Sequence, residues 1–135
     1  MRWWLVIFTI ISCSVFSNLN AQNDVSYFRT LFQKAQNKSD FEKIVNSEVQ
    51  EQNEMNLIII DSYKAVSKAT LARYTFNPYF KLKYFDQGTG DLDGLILKKK
   101  CVDNVFLRLI IQLNVPEFLN YNDDIKSDLT YFLGH

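Results

Sequence analysis

The chain has 135 residues, 15 basic and 15 acidic side chains, and 47% hydrophobic residues. A formal net charge of zero excludes a surface that tracks nucleic-acid phosphates, which needs several uncompensated Lys or Arg side chains at once. The 22% charged fraction and the many large apolar residues also exclude a disordered tail, so one folded domain is expected.

The first element is an address. Met1 and Arg2 form a short positive end, Trp3 to Phe16 is an almost unbroken apolar run, and Ser17 to Ala21 turns small and polar. This is the pattern of a secretory signal peptide over residues 1–21, with cleavage after Ala21. The run is shorter than the ~20 apolar residues a membrane-spanning helix needs, so no stable span is expected. Ile10-Ile11-Ser12-Cys13 resembles a bacterial lipobox and leaves a second route open, a lipid anchor at Cys13. Export predicts a periplasmic or secreted domain over residues 22–135, which is long enough to build a core without staples. After cleavage Cys101 is the only cysteine, so no intramolecular disulfide can form despite the oxidising compartment.

Helical spacing of apolar residues then runs through almost the whole exported segment. Val25, Phe28, Leu31, Phe32 and Ala35 share one face of a first short helix. Ser39-Asp40-Phe41-Glu42 fits a capping box and predicts a second helix with Phe41, Ile44, Val45 and Val49 inward. From Glu54 to Phe76 there is no Pro or Gly. The β-branched run Ile58 to Ile60 suggests a strand, but Tyr63, Val66, Ala69 and Arg73 continue at helical spacing, which favours one long helix. Ala65, Ala69 and Ala72 form a narrow row along it, where a neighbouring helix can approach closely.

Asn77-Pro78 closes that element and opens the next, since Asn is a good N-cap and Pro lacks only an amide proton that would have no partner at the first helical position. Tyr79, Leu82 and Phe85 continue at helical spacing. In GTGDLDG (88–94) three glycines each cost a helix about 1 kcal/mol, so a loop or a frayed helix is expected there. Asp103-Asn104 can cap a helix from Val105 to Leu113, and Pro116 can start a short turn to Leu119. Asn122 and Asp123 can cap a last helix carrying Ile125, Leu129 and Phe132.

Two segments, NPYFKLKYFDQG (77–88) and NVFLRLIIQLNVPEFLNYNDDIKSDLTYF (104–132), together resemble a family of small exported helical proteins of Bacteroidetes-type bacteria. That family is similar to helix hairpins of the tetratricopeptide kind, and no activity is established for it. The resemblance implies an all-α fold of antiparallel hairpins and an exported compartment, and it carries over no catalytic residue. Two departures stand out. The family runs as continuous helix of the type G-x-x-x-L-x-x-A-I after the position of Gly88, where this chain has Gly90 and Gly94. It also continues with more helix past the position of Phe132, which implies a shortened member with apolar surface left at its C-terminal end. No 34-residue repeat can be laid out twice.

The chemistry-bearing residues form no convergent set, and neither a cofactor nor a metal is expected. An EF-hand frame on Gly94 puts Lys100 where the bidentate Glu belongs, so Asp86, Asp91 and Asp93 read as a solvated loop. Cys101 has no CxxC partner, and the lone His135 is the terminal residue, where mobility is expected, so a partly buried structural thiol is the simpler reading. Asp123, Asp124 and Asp128, with Glu117 nearby, read as helix-start acids. Arg108 lies within an apolar helix and needs a carboxylate or a stem packed over the core. Lys98 to Lys100 is too small a basic patch to hold a membrane surface.

The aromatic residues Tyr74, Phe76, Tyr79, Phe80, Tyr84 and Phe85 bracket the Asn77-Pro78 turn. Most are expected in the core, and any exposed together would mark a contact surface. The leading expectation is therefore a non-enzymatic interaction or scaffold protein that contacts another envelope protein through Tyr74, Phe76, Tyr79, Phe80 and Tyr84. The alternative is a small-molecule-binding or hydrolytic protein using Arg108 and carboxylates in a pocket between helices.

Overall fold

The computed structural model describes residues 24–135. The expected signal peptide over residues 1–21, the expected cleavage before Gln22 and the alternative lipid anchor at Cys13 fall outside the described residues. Within them the fold is all-α, with six α-helices, two short 3-10 turns and no strand.

Helix α1 (Asp24–Lys34) buries Val25 and Phe28. Helix α2 (Lys38–Asn46) buries Phe41 and Ile44. Its cap lies two residues before the expected Ser39. Asn37 Oδ1 accepts the Asp40 amide at 3.1 Å, and Asp40 Oδ2 accepts the amides of Gln36 and Asn37 at 2.9 and 3.3 Å. The short Asp40 carboxylate thus serves two backbone donors and sets negative charge at the helix start, while Glu42 pairs with Lys38 instead.

Helix α3 (Glu54–Thr70) is the hub. Ile58, Ile59, Ile60, Tyr63, Ala65, Val66 and Ala69 are buried on several sides, because α1, α2, α4 and α5 all pack on it. That explains the apolar run that resembled a strand. The α-helix stops at Thr70, short of the expected Phe76, and tightens into a 3-10 turn over Leu71–Tyr74. Thr75 and Asn77 then adopt extended backbone, as the residue before a proline prefers. Phe76 is left outside any helix.

Helix α4 (Pro78–Lys98) starts as expected, with Asn77 Oδ1 accepting the amides of Tyr79 at 2.9 Å and Phe80 at 3.4 Å. It then runs unbroken through 88–94, where a loop or frayed helix was expected. Packing explains the difference. Gly88 crosses α3 so closely that a Cβ there would lie 2.6 Å from the Ala65 carbonyl oxygen and also press on the Ala69 backbone. Small residues on both helices permit this approach, and the contact area outweighs the cost of the glycines. The two helices run antiparallel, with Lys98 beside Glu54 at one end and Lys68 beside Asp91 nearer the other.

Helix α5 (Val102–Asn114) begins three residues before the expected Val105. Asn104 sits inside its first turn, fully buried, accepting the Cys101 amide at 2.9 Å and donating to the Lys99 carbonyl at 2.8 Å. One side chain therefore closes the α4–α5 corner. The Pro116 turn is a 3-10 segment, Glu117–Leu119, ended by Asn120 at φ 50°, a left-handed conformation that Asn tolerates. Helix α6 (Ile125–Leu133) has no side-chain cap from Asn122 or Asp123. Asp124 occupies the cap position, but its carboxylate turns to Arg108. Phe106 of α5 stacks on Phe132 of α6 at 5.6 Å, which fixes this pair as antiparallel too.

Candidate functional site

The bracket of aromatics around Asn77-Pro78 divides in two. Tyr74 is half-buried, with its ring against Phe41 at 6.1 Å and its hydroxyl donating to the Gln36 carbonyl at 3.2 Å. Tyr84 packs at the edge of the core, and Phe85 is buried edge-on to Tyr121 at 5.8 Å. Phe76, Tyr79 and Phe80 face solvent, with Phe76 fully exposed and Tyr79 69% exposed. The Tyr79 and Phe80 rings meet edge to face at 5.3 Å, so they present one continuous surface. The expectation that most of this bracket is core therefore fails for three rings, because the early end of α3 throws Phe76 outward and the Pro78 frame turns Tyr79 and Phe80 away from α3.

The opposite face of the same turn of α4 forms one wall of an apolar groove of about 730 Å³. Pro78, Lys81, Leu82 and Phe85 supply that wall, and Ala69, Thr70, Ala72 and Arg73 line it from the end of α3 and its 3-10 turn. The end of α5 and the Pro116–Leu119 turn close the third side. Leu82 and Phe118 stand exposed at the rim. The sequence signals for this groove were the small Ala69 and Ala72 and the proline-bounded turn, which acquire meaning only once α3, α4 and α5 are placed together.

Arg108 is buried, as an Arg in an apolar helix requires, and holds a carboxylate. Its Nε and Nη2 donate to the two oxygens of Asp128, each at 2.6 Å. Nη1 donates to Asp93 Oδ1 at 3.3 Å and lies 3.4 Å from Asp124 Oδ2. Tyr121 donates its hydroxyl to the same Asp93 oxygen at 2.9 Å, and Lys100 Nζ lies 3.8 Å from Asp128. The Asp128 hydrogen bonds hold the guanidinium above its ordinary, already high pKa. Burial raises the Tyr121 phenol, reinforced by the Asp93 charge. Asp128 was read as a helix-start acid, but it is fully buried and serves as an internal counter-ion. The cluster joins α4, α5 and α6, and neither the apolar groove nor a second groove of mixed lining, about 510 Å³ between α3 and α4, is lined by Arg108.

The remaining candidates are tied into the scaffold. Asp86, Asp91 and Asp93 lie along helix α4 and not on a loop, with Asp91 near Lys68 and Asp93 turned to Arg108. Among the described residues no three His, Cys, Asp or Glu side chains are placed to hold a metal. Cys101 is buried, and burial pushes its thiol pKa up. His135 is exposed, with its ring stacked on Tyr131 at 4.2 Å. Lys98 reaches Glu54, and Lys100 lies over the Tyr131 ring at 4.6 Å. No described helix is long and apolar enough to cross a membrane. An ionic set that sequence reading missed is Asp103, which accepts two bonds from Arg29 at 2.9 and 2.8 Å and one from Tyr63 at 3.2 Å, joining α1, α3 and α5.

Comparison with protein-family models, with curated proteins and with solved structures finds no match to this chain.

Proposed function

We propose that this chain is an exported, non-enzymatic interaction module, built of tetratricopeptide-like helix hairpins, that docks another envelope protein. The contact surface in this reading is the corner carrying Phe76, Tyr79 and Phe80, with Tyr74 and Tyr84 as the rings behind it. The observation that carries the proposal is the joint exposure of the three outer rings at one corner, held by a cap and a proline that fix their direction. An aromatic side chain buries roughly 150–250 Å² when covered, and at about 25 cal/mol per Å² three such rings supply the core of an interface. The ionic clusters support a scaffold role, because their carboxylates are already engaged by Arg29 or Arg108. Residues 1–21 supply the address in this reading, and the mature domain spans 22–135 in the periplasm or outside the cell.

The test is crosslinking in living cells, followed by mass spectrometry of the captured proteins and of the chain's own N-terminus. One dominant partner that disappears in the Tyr79→Ala/Phe80→Ala variant supports the proposal, and an N-terminus at Gln22 supports the address. Capture unchanged by the double substitution overturns the assigned surface. An acylated Cys13 at the N-terminus replaces the free domain with a lipid-tethered one.

A further inference from the structure

We infer that the groove between α3, α4 and α5 binds a long-chain carboxylic acid, with its acyl tail along the groove and its carboxylate held by Arg73 and Lys81. The volume, about 730 Å³, lies within the roughly 300–1,000 Å³ of small-molecule sites. The walls are apolar, and no Asp or Glu is among the lining residues. Arg73 and Lys81 both line the groove, and neither forms an ion pair among the described residues. Residues 1–23 contain no Asp or Glu that would supply one. An apolar cleft with two cations and no anion of its own complements a molecule that is apolar along its length and negative at one point.

The polar groups of the groove decide between an acyl chain and a peptide. A bound peptide brings backbone N–H and C=O groups that must be hydrogen-bonded when covered. Thr70 and Asn114 are the uncharged polar side chains lining the groove, and each already spends one donor within its own helix, on the Val66 and Ile110 carbonyls at 2.8 and 2.7 Å. That leaves a covered peptide backbone only the Thr70 hydroxyl oxygen and the rest of the Asn114 amide among them. An acyl chain makes no such demand. The small Ala69 and Ala72 leave room for it, and Leu82 and Phe118 stand at the rim to cover it.

The test is displacement of a fluorescent polyene fatty acid from the purified exported protein by hexadecanoate, by hexadecanol and by a single-chain lysophosphatidylglycerol. Hexadecanoate is expected to displace the probe at one site per chain, with hexadecanol about tenfold weaker because it lacks the charge-assisted bonds. Arg73→Gln/Lys81→Gln, two exposed positions, is expected to remove that difference while the thermal midpoint holds. Leu82→Asp, at the rim, is expected to weaken both ligands. Equal affinity for acid and alcohol overturns the inference, as does a preference that survives the double variant or binding untouched by Leu82→Asp. Displacement by the lysophospholipid with none by hexadecanoate assigns the groove to a lipid headgroup and also overturns it.

Discussion

Arg108 of α5 and Asp128 of α6 face each other fork to fork, with two parallel hydrogen bonds of 2.6 Å in a site where Asp128 has no solvent exposure. Helix α6 is nine residues long and Asp128 is its one buried residue, so this pair anchors it alongside the Phe106–Phe132 stack. Removing Asp128 strips the buried guanidinium of its two-pronged partner and leaves Asp93 and Asp124 at Nη1, so the expected cost is about 3 kcal/mol, the low end for a broken buried pair. Asp128→Ala is therefore expected to lower stability by that amount in urea denaturation. Asp124→Ala, at an exposed partner of the same guanidinium, is expected to cost about 1 kcal/mol or less. Equal effects would show that the buried pair is not what holds α6.

Two glycines of one helix are predicted to respond with opposite sign. Gly88→Ala places a methyl group against α3 backbone that cannot move aside, and overpacking of this kind costs about 1–3 kcal/mol, more than the helix propensity gained. Gly90→Ala meets nothing within 4 Å and is expected to stabilise by about 0.5–1 kcal/mol. Thermal midpoints of the two variants, one below and one above the parent, check the prediction.

Stability at alkaline pH follows from Tyr63. Burial, reinforced by the Asp103 carboxylate, pushes its phenol up to about 12. An unfolded tyrosine titrates near pH 10, so between about 10 and 12 the folded state holds a proton that the unfolded state releases. The stabilising contribution is complete below pH 10 and is lost as pH rises through 12. Denaturation midpoints measured across this window are expected to fall less steeply in Tyr63→Phe than in the parent. Parallel slopes would remove Tyr63 as a cause.

The Cys101 thiol is buried beneath the α4–α5 corner, with its pKa raised by burial. Because the thiolate is the reactive form, iodoacetamide at neutral pH is expected to label it slowly in the folded protein and rapidly in urea. Equal labelling rates in the two states would mean that the corner opens readily.

Legibility in the sequence divided along the line between local and non-local physics. The Asn77-Pro78 junction was readable because a cap and a first-turn proline are satisfied by their immediate neighbours. The α2 start was misplaced because Asn37 and Ser39 are both competent caps, and what separates them is the reach of Asp40 to two particular amides. The 88–94 stretch was misread because propensity counts each glycine as a loss, whereas Gly88 is required by the approach of Ala65 and Ala69 from a distant helix. Arg108 announced its need for an acid by standing among apolar residues. Which acid answers could not be read, since Asp128 in the first turn of a helix looks like an ordinary end charge. The groove left only Ala69, Ala72 and Pro116 as traces, none meaningful until three helices meet.

The most direct measurement compares two positions on one helix. A photo-reactive residue in place of Phe80, at the aromatic corner, is set against one in place of Leu97, which is 88% exposed near the far end of α4. The 17 residue steps from Phe80 to Leu97, at 1.5 Å each, separate the sites by about 25 Å. Irradiation in living cells is predicted to give a single defined adduct from position 80 that Tyr79→Ala abolishes, and none from position 97. The same adduct from both positions, or from neither, would contradict the assignment of the corner as the docking surface.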